Sequence, residues 1–180
     1  MKVMGLAGWS GSGKTTLLVK LLPLLVARGL RIATLKHADH QFDIDQPGKD
    51  SYEHRKAGAS EVIISSARRW ALMHELGADP EPTLAQLLMR LAPCDIVLVE
   101  GFKAQKHPKI EVFRGATGKS PLYRGDPQIL AIASDCAIPG APIPVVDLND
   151  IQAVETLVLE RAEALQRVLP RLADTAHGAA

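Results

Sequence analysis

Gly8-Trp9-Ser10-Gly11-Ser12-Gly13-Lys14-Thr15 matches the phosphate-binding spacing G-x-x-x-x-G-K-[ST] at every fixed position. The chemistry that this pattern serves is the grip on a nucleoside phosphate. Successive backbone N–H groups of Ser10 to Thr16 would converge on phosphate oxygens, and the dipole of a following helix would add partial positive charge there. Lys14 would reach the β- and γ-phosphates, and the Thr15 hydroxyl would ligate Mg²⁺. Such a site also needs an acid for the metal. Glu100 closes the apolar run Asp95-Ile96-Val97-Leu98-Val99-Glu100-Gly101, where a metal-facing carboxylate at a strand end belongs. A second acid is sought in the polar stretch after Lys36, with Asp50 preferred and Asp39, Asp43 and Asp45 as competitors.

These residues need a scaffold of strands and helices. Lys2 to Ala7 reads as a short buried strand, and Thr15 to Arg28 as a helix with a leucine stripe, capped by Gly29 and kinked at Pro23. Arg31–Lys36, Glu61–Ser65, Arg69–His74, Ile96–Val99, Lys109–Phe113, Ile129–Ala133 and Val145–Asp147 read as strands. Short helices are predicted at about Asp50 to Ala57 and after Thr83, whose spacing to Gln86 is that of a capping box. Asn149 and Gln152 repeat that spacing before a helix with Val154, Leu157, Val158, Leu165 and Leu169 on one face. The alternation implies an α/β fold, a P-loop NTPase-type sandwich around a central, mainly parallel sheet. One domain is expected over 1–169, with a frayed Ala-rich tail over 170–180.

Composition limits the function classes. The 180 residues carry 21 Lys and Arg against 20 Asp and Glu, a net charge of +1, which gives no electrostatic case for nucleic acid or a membrane surface as partner. Cys94 and Cys136 lack C-x-x-C spacing and read as buried free thiols of a reducing, cytoplasmic protein. Trp70 reads as core, and Lys103, Lys106, His107 and Lys109 as a basic, solvated loop that could flank the site. Lys36 is a candidate phosphate contact, and His37 and His40 with nearby aspartates could hold a transition metal. There is no N-K-x-D guanine-reading element, but Asp135 follows an apolar strand and could accept from guanine N1–H and N2–H.

The ordered set of segments resembles one family, the molybdopterin-guanine dinucleotide biosynthesis adapters known as MobB. The resemblance rests on Trp9 to Thr16, Leu35-Lys36-His37, Asp43-Ile44-Asp45, Pro47 to Tyr52, Arg55 to Ala59, Arg69 to Met73, Leu98 to Lys103 and Ala131 to Asp135. It implies a GTP-binding protein with weak GTPase activity, typically a homodimer, that assists the guanylyltransferase joining GMP to molybdopterin; GTP, that enzyme and molybdopterin are the partners it brings to mind. The family is similar to dethiobiotin synthetase, in which the acid of a V-E-G segment ligates Mg²⁺, and this supports Glu100. Trp9 stands where many dimeric phosphate-loop ATPases carry an intersubunit lysine, so that mechanism is closed. Slow hydrolysis would rest on Lys14, the loop N–H groups and Mg²⁺ held by Thr15 and Glu100; no arginine finger or water-orienting glutamine stands out. An ATP-dependent ligase or kinase using Lys36, His37 and Lys103, and a metallochaperone using His37 and His40, are the competing readings. The stretch Arg114–Gln128 carries no motif.

Overall fold

The structure is a computed structural model that describes residues 1–38 and 42–176. It divides into two compact units, Met1–His37 with the chain from Thr83 onward, and Ala38–Pro82. No linker announced that division, because the second unit is as dense in strand and helix signals as the first.

The first unit is built on a seven-stranded sheet. Its strands are β1 (Lys2–Ala7), β2 (Ile32–Lys36), β5 (Ile96–Glu100), β6 (Lys109–Phe113), β7 (Ile129–Ser134), β8 (Val145–Asp147) and β9 (Glu163–Ala164). The order is β2-β5-β1-β6-β7-β8, with every neighbouring pair parallel. Strand β6 begins opposite Gly5, so the lower half of that edge of β1 is left for β9, which pairs antiparallel with Lys2 and Val3.

Period-2 alternation sorts the strand residues between two cores. Met4 and Leu6 of β1 and Ile96 and Leu98 of β5 pack with α1 (Lys14–Ala27) and α4 (Ile151–Arg161). Val3, Val97 and Val99 pack on the other face with α3 (Leu84–Arg90) and α5 (Leu165–Ala176). Glu100 shares the parity of Ile96 and Leu98, and this aims its carboxylate toward α1.

Helix α1 runs on through Pro23 to Ala27, and Gly29, at φ of 80°, follows its cap residue Arg28. The Leu30 N–H bonds the Leu25 carbonyl and the Gly29 N–H that of Val26, the paired bonds of a Schellman motif. Helix α3 opens with the expected capping box: Thr83 Oγ1 accepts from the Gln86 N–H at 3.2 Å and the Gln86 side chain accepts from the Thr83 N–H at 2.8 Å. Thr83→Ala is therefore expected to cost about 1 kcal/mol, read as a lower urea midpoint at constant slope.

Several expectations are corrected. Helix α4 is capped by Asp150, whose carboxylate accepts from the Ala153 N–H at 3.0 Å, not by Asn149. It ends at Arg161, and Leu165 does not continue its stripe. Ala162 turns extended, β9 crosses beneath the sheet edge, and Leu165 starts α5 on the opposite face. That helix continues past Pro170 to Ala176, over part of the stretch expected to fray. Cys94 is only half-buried and Cys136 is exposed, though both are free thiols.

His107 and Lys109 are not a solvated cluster beside the site; both are buried at the N-terminal start of β6. The Lys109 ammonium donates to the Gln105 carbonyl at 2.7 Å and to Asp126 at 2.8 Å. The His107 ring lies over Gly5, where its Nε2 leaves no room for a Cβ. Burial, then the Lys109 charge, lowers its pKa to about 3. Below the ordinary value near 6.5 the unfolded chain takes a proton that the folded chain refuses, so this group removes stability as pH falls from 6.5 toward 3. Urea midpoints at pH 7 and pH 5 test this: the drop in the parent should exceed that of His107→Leu.

The second unit contains α2 (Asp50–Lys56) and the antiparallel hairpin of β3 (Glu61–Ser65) and β4 (Trp70–His74). Val62 and Met73 are buried, whereas Ile63, Leu72 and Trp70 are exposed. Trp70 is thus not core, contrary to expectation: it is 70% accessible. Arg55 organises the unit, its guanidinium lying 2.7 Å from Asp43, 2.8 Å from Asp45 and 3.3 Å from Glu75.

Candidate functional site

The loop between β1 and α1 has the backbone that its sequence demands. Gly13 sits in the left-handed region with φ of 92° and forms the N-cap of α1. At Gly8, φ is 152° and an added Cβ would stand 2.5 Å from the Val112 carbonyl oxygen, so the chain passes too close to β6 for any side chain. Helix α1 follows directly and points its N-terminus at the loop, the arrangement that favours an anion. The Ser12 hydroxyl is buried in the loop with no hydrogen-bond partner among the described residues.

Lys14 Nζ donates to the carbonyls of Gly8 and Trp9, each at 3.0 Å. The ammonium thus lies across the mouth of the loop, on groups that a phosphate oxygen would replace at modest cost. Thr15 Oγ1 donates to Glu100 Oε1 at 2.8 Å. Glu100 is only 7% accessible, and it ends β5 beside β1, as the apolar run before it implied. The hydroxyl and carboxylate are hard oxygen donors side by side, a donor set suited to Mg²⁺ with retained waters.

The turn after Glu100 is tight. Gly101 has φ of 95° and Phe102, a non-glycine residue, has φ of 51°. The Phe102 ring packs on the His37 imidazole with centroids 4.8 Å apart. His37 follows β2, and its N–H bonds the Glu100 carbonyl at 2.9 Å. Lys36 is exposed at the end of β2, in register with Glu100.

The other acidic candidates belong to the second unit. Asp50 is the exposed first residue of α2 in the second unit. Asp43 and Asp45 are paired with Arg55, and the Asp45 side chain is only 3% accessible. Asp39 and His40 lie outside the described residues. Among the described residues there is no group of three or more His, Cys, Asp or Glu side chains placed to hold a metal. No helix among them is long and apolar enough to cross a membrane.

Asp135 lies just beyond β7, as expected, but its carboxylate is engaged. Oδ1 accepts the Gly115 N–H at 2.9 Å, and Oδ2 lies 3.5 Å from Arg114 Nη1. Arg114 is the neighbour that sequence reasoning missed. It directly follows β6, and its Nε donates to the Ser12 carbonyl at 3.1 Å. The available signal was positional: a basic residue just after a buried strand next to the phosphate loop.

The rest of the motif-free stretch is scaffold for the same corner. Trp9 Nε1 donates to the Ser120 carbonyl at 2.9 Å, with the Lys119 ammonium 5.8 Å from the ring centroid. The buried Glu111 carboxylate accepts the N–H groups of Leu122 and Tyr123 at 2.6 and 2.9 Å, while burial pushes its pKa up. Trp9 therefore ties the phosphate loop to its own chain.

Known proteins share this arrangement. The sequence model of the family described as molybdopterin guanine dinucleotide synthesis protein B matches residues 3–135. A molybdopterin-guanine dinucleotide biosynthesis adapter protein of Escherichia coli (strain K12) is 44% identical over 161 residues, covering 88% of this chain and 91% of that one. The Haemophilus influenzae protein of the same name is 44% identical over 137 residues, 74% of each. The crystal structure of a MobB homolog from Bacillus stearothermophilus superposes with a TM-score of 0.68 at 25% identity, covering 89% of this chain and 97% of that one. Bacillus subtilis MobB, at 23% identity, matches in fold with a TM-score of 0.73 over 91% and 99% of the chains. The P-loop fold, the loop and its acid, and a match over most of the chain agree: this protein belongs to the molybdopterin guanine dinucleotide synthesis protein B family.

Proposed function

We propose that the protein is an adapter that binds GTP–Mg²⁺, hydrolyses it slowly, and assists the enzyme that attaches GMP to molybdopterin. The observation that carries this reading is the Thr15–Glu100 hydrogen bond at the foot of the phosphate loop, in a chain of this family. A hydroxyl and a carboxylate side by side at the loop would hold the Mg²⁺ that accompanies a nucleotide's phosphates, and this supports the reading. On this reading, Ser10 to Thr16 supply the phosphate grip and Asp135 faces the guanine edge. Asp50 would be a further carboxylate for the metal. Mg²⁺, when bound, would neutralise charge on the phosphates, while Lys14 and the loop N–H groups orient them. A homodimer in the cytoplasm is part of the same proposal.

Slow turnover follows from what surrounds the loop. An arginine finger is worth about 10³ to 10⁵ in rate. Arg114, a cation beside the loop, is committed to a loop carbonyl and a carboxylate.

Titration with GTP and ATP in the presence of Mg²⁺ tests the proposal. GTP should bind at least about tenfold tighter, a difference of about 1.4 kcal/mol. A tenfold preference for ATP would favour a ligase or kinase instead. A partner-free GTPase rate above roughly 1 per second would also sink the adapter reading, since unassisted hydrolysis on such loops is far slower. A pull-down of the guanylyl-transferring enzyme, with and without GTP–Mg²⁺, then shows whether the nucleotide gates the partnership.

A further inference from the structure

The C-terminal ends of β6 and β7 meet the phosphate loop through one side chain, and the proposed function does not use it. Arg114 Nε donates to the Ser12 carbonyl at 3.1 Å, and Nη1 lies 3.5 Å from Asp135 Oδ2. The Asp135 carboxylate also accepts the N–H of Gly115, the residue after Arg114, at 2.9 Å. The Arg114 carbonyl in turn accepts the Thr117 N–H and, at 2.8 Å, the Thr117 hydroxyl, closing a short turn over Gly115–Thr117. Gly13 leaves room for the guanidinium: a Cβ there would stand 3.1 Å from Nε and 3.4 Å from Nη2. The loop's last glycine therefore serves two needs, a left-handed turn into α1 and a bed for Arg114.

We propose that Arg114 is a positioning residue that locks the Ser12–Gly13 end of the phosphate loop to the Asp135 carboxylate, so that nucleobase preference and phosphate affinity are set together. The planar fork suits the task, because Nε and Nη1 lie on one rigid group and can serve two acceptors at once. The Ser12 carbonyl it holds belongs to the peptide whose N–H is that of Gly13, one of the loop donors, so fixing the carbonyl aims the donor. Its pairing with Asp135 fixes the carboxylate that would read the base. A base edge drawn onto Asp135 would compete with or reinforce this pairing, and either response reaches the loop through Arg114. The phosphate part of the inference stands without the guanine assignment; the preference part rests on the function proposed above.

The test uses the full-length protein with Mg²⁺ and three probes: GTP, ATP and inorganic triphosphate. Arg114→Ala should weaken all three by about tenfold or more, as expected for losing a charge-assisted hydrogen bond. Asp135→Asn should weaken GTP most and triphosphate by a smaller factor of about threefold, because the amide oxygen still accepts from Gly115 but no longer pairs its charge with Arg114. The double variant should bind GTP no worse than the weaker single variant by more than about twofold, the mark of two residues acting as one unit. Arg114→Gln, which keeps a donor for Ser12 but not the charge, should recover part of the triphosphate affinity; it carries the test if Arg114→Ala does not fold. Unchanged triphosphate binding in a folded Arg114 variant, or additive losses in the double variant, would overturn the inference. If the parent prefers ATP, the guanine reading fails, yet the loss of triphosphate binding in Arg114→Ala still reports on the brace.

Discussion

Lys14→Ala is expected to lower nucleotide affinity by about 10- to 150-fold while the folded state persists. A hydrogen bond to a charged group contributes about 1.5–3 kcal/mol, and each 1.4 kcal/mol is a factor of ten in affinity. The Lys14 ammonium lies on the Gly8 and Trp9 carbonyls, so phosphate binding exchanges two carbonyl contacts for phosphate oxygens of full charge. The variant loses the second set without disturbing the sheet, because the side chain packs in neither core. Isothermal titration with the Mg²⁺ nucleotide, with circular dichroism as the check on folding, measures both quantities. Affinity within about threefold of the parent would mean that the loop binds phosphate without its lysine, against the expectation for such loops.

Glu100→Gln has the second large effect, and it falls on the metal. The amide keeps an acceptor for Thr15 Oγ1 and removes the charge that the cation needs. The Mg²⁺ concentration for half-maximal nucleotide binding should rise by about tenfold or more, while binding without metal changes little. Stability should hold or rise slightly, since a buried carboxylate costs desolvation that an amide avoids. Glu100→Ala should likewise weaken the metal dependence more than the fold. If either variant unfolds, Glu100 is a structural acid that the Thr15 hydroxyl satisfies, and the proposed metal site is lost with it.

Much of the first unit was legible because its signals are local. The phosphate loop is a spacing, and spacing survives folding unchanged. Strands β6 and β8 have the bounds that their sequence predicts, and the Thr83 capping box depends on residues three apart. Glu100 could be placed because an acid that closes an apolar run falls at the C-terminal end of its strand, where the sites of parallel sheets lie. Failures cluster where a distant partner decides. Leu165 continues a helical stripe on paper, but the open edge of β1 at Lys2 and Val3 draws Glu163 and Ala164 into an extended pair and breaks the helix. His107 and Lys109 read as a basic surface run; burial turns them inward because Gly5 leaves a space and Asp126 supplies a counter-charge.

By itself the sequence determined the phosphate-loop spacing, the family, the α/β class and the position of Glu100 at a strand end, because each is carried by residues within a few positions of one another or at the end of one run. Only the tertiary structure decided that Thr15 and Glu100, eighty-five residues apart, share a hydrogen bond. It alone joined Ser12, Arg114 and Asp135 into one corner. Those contacts arise from parallel strand order, which brings the ends of β5, β1, β6 and β7 side by side irrespective of their distance along the chain. Neighbours across a sheet are set by backbone pairing and register, and no local spacing encodes them.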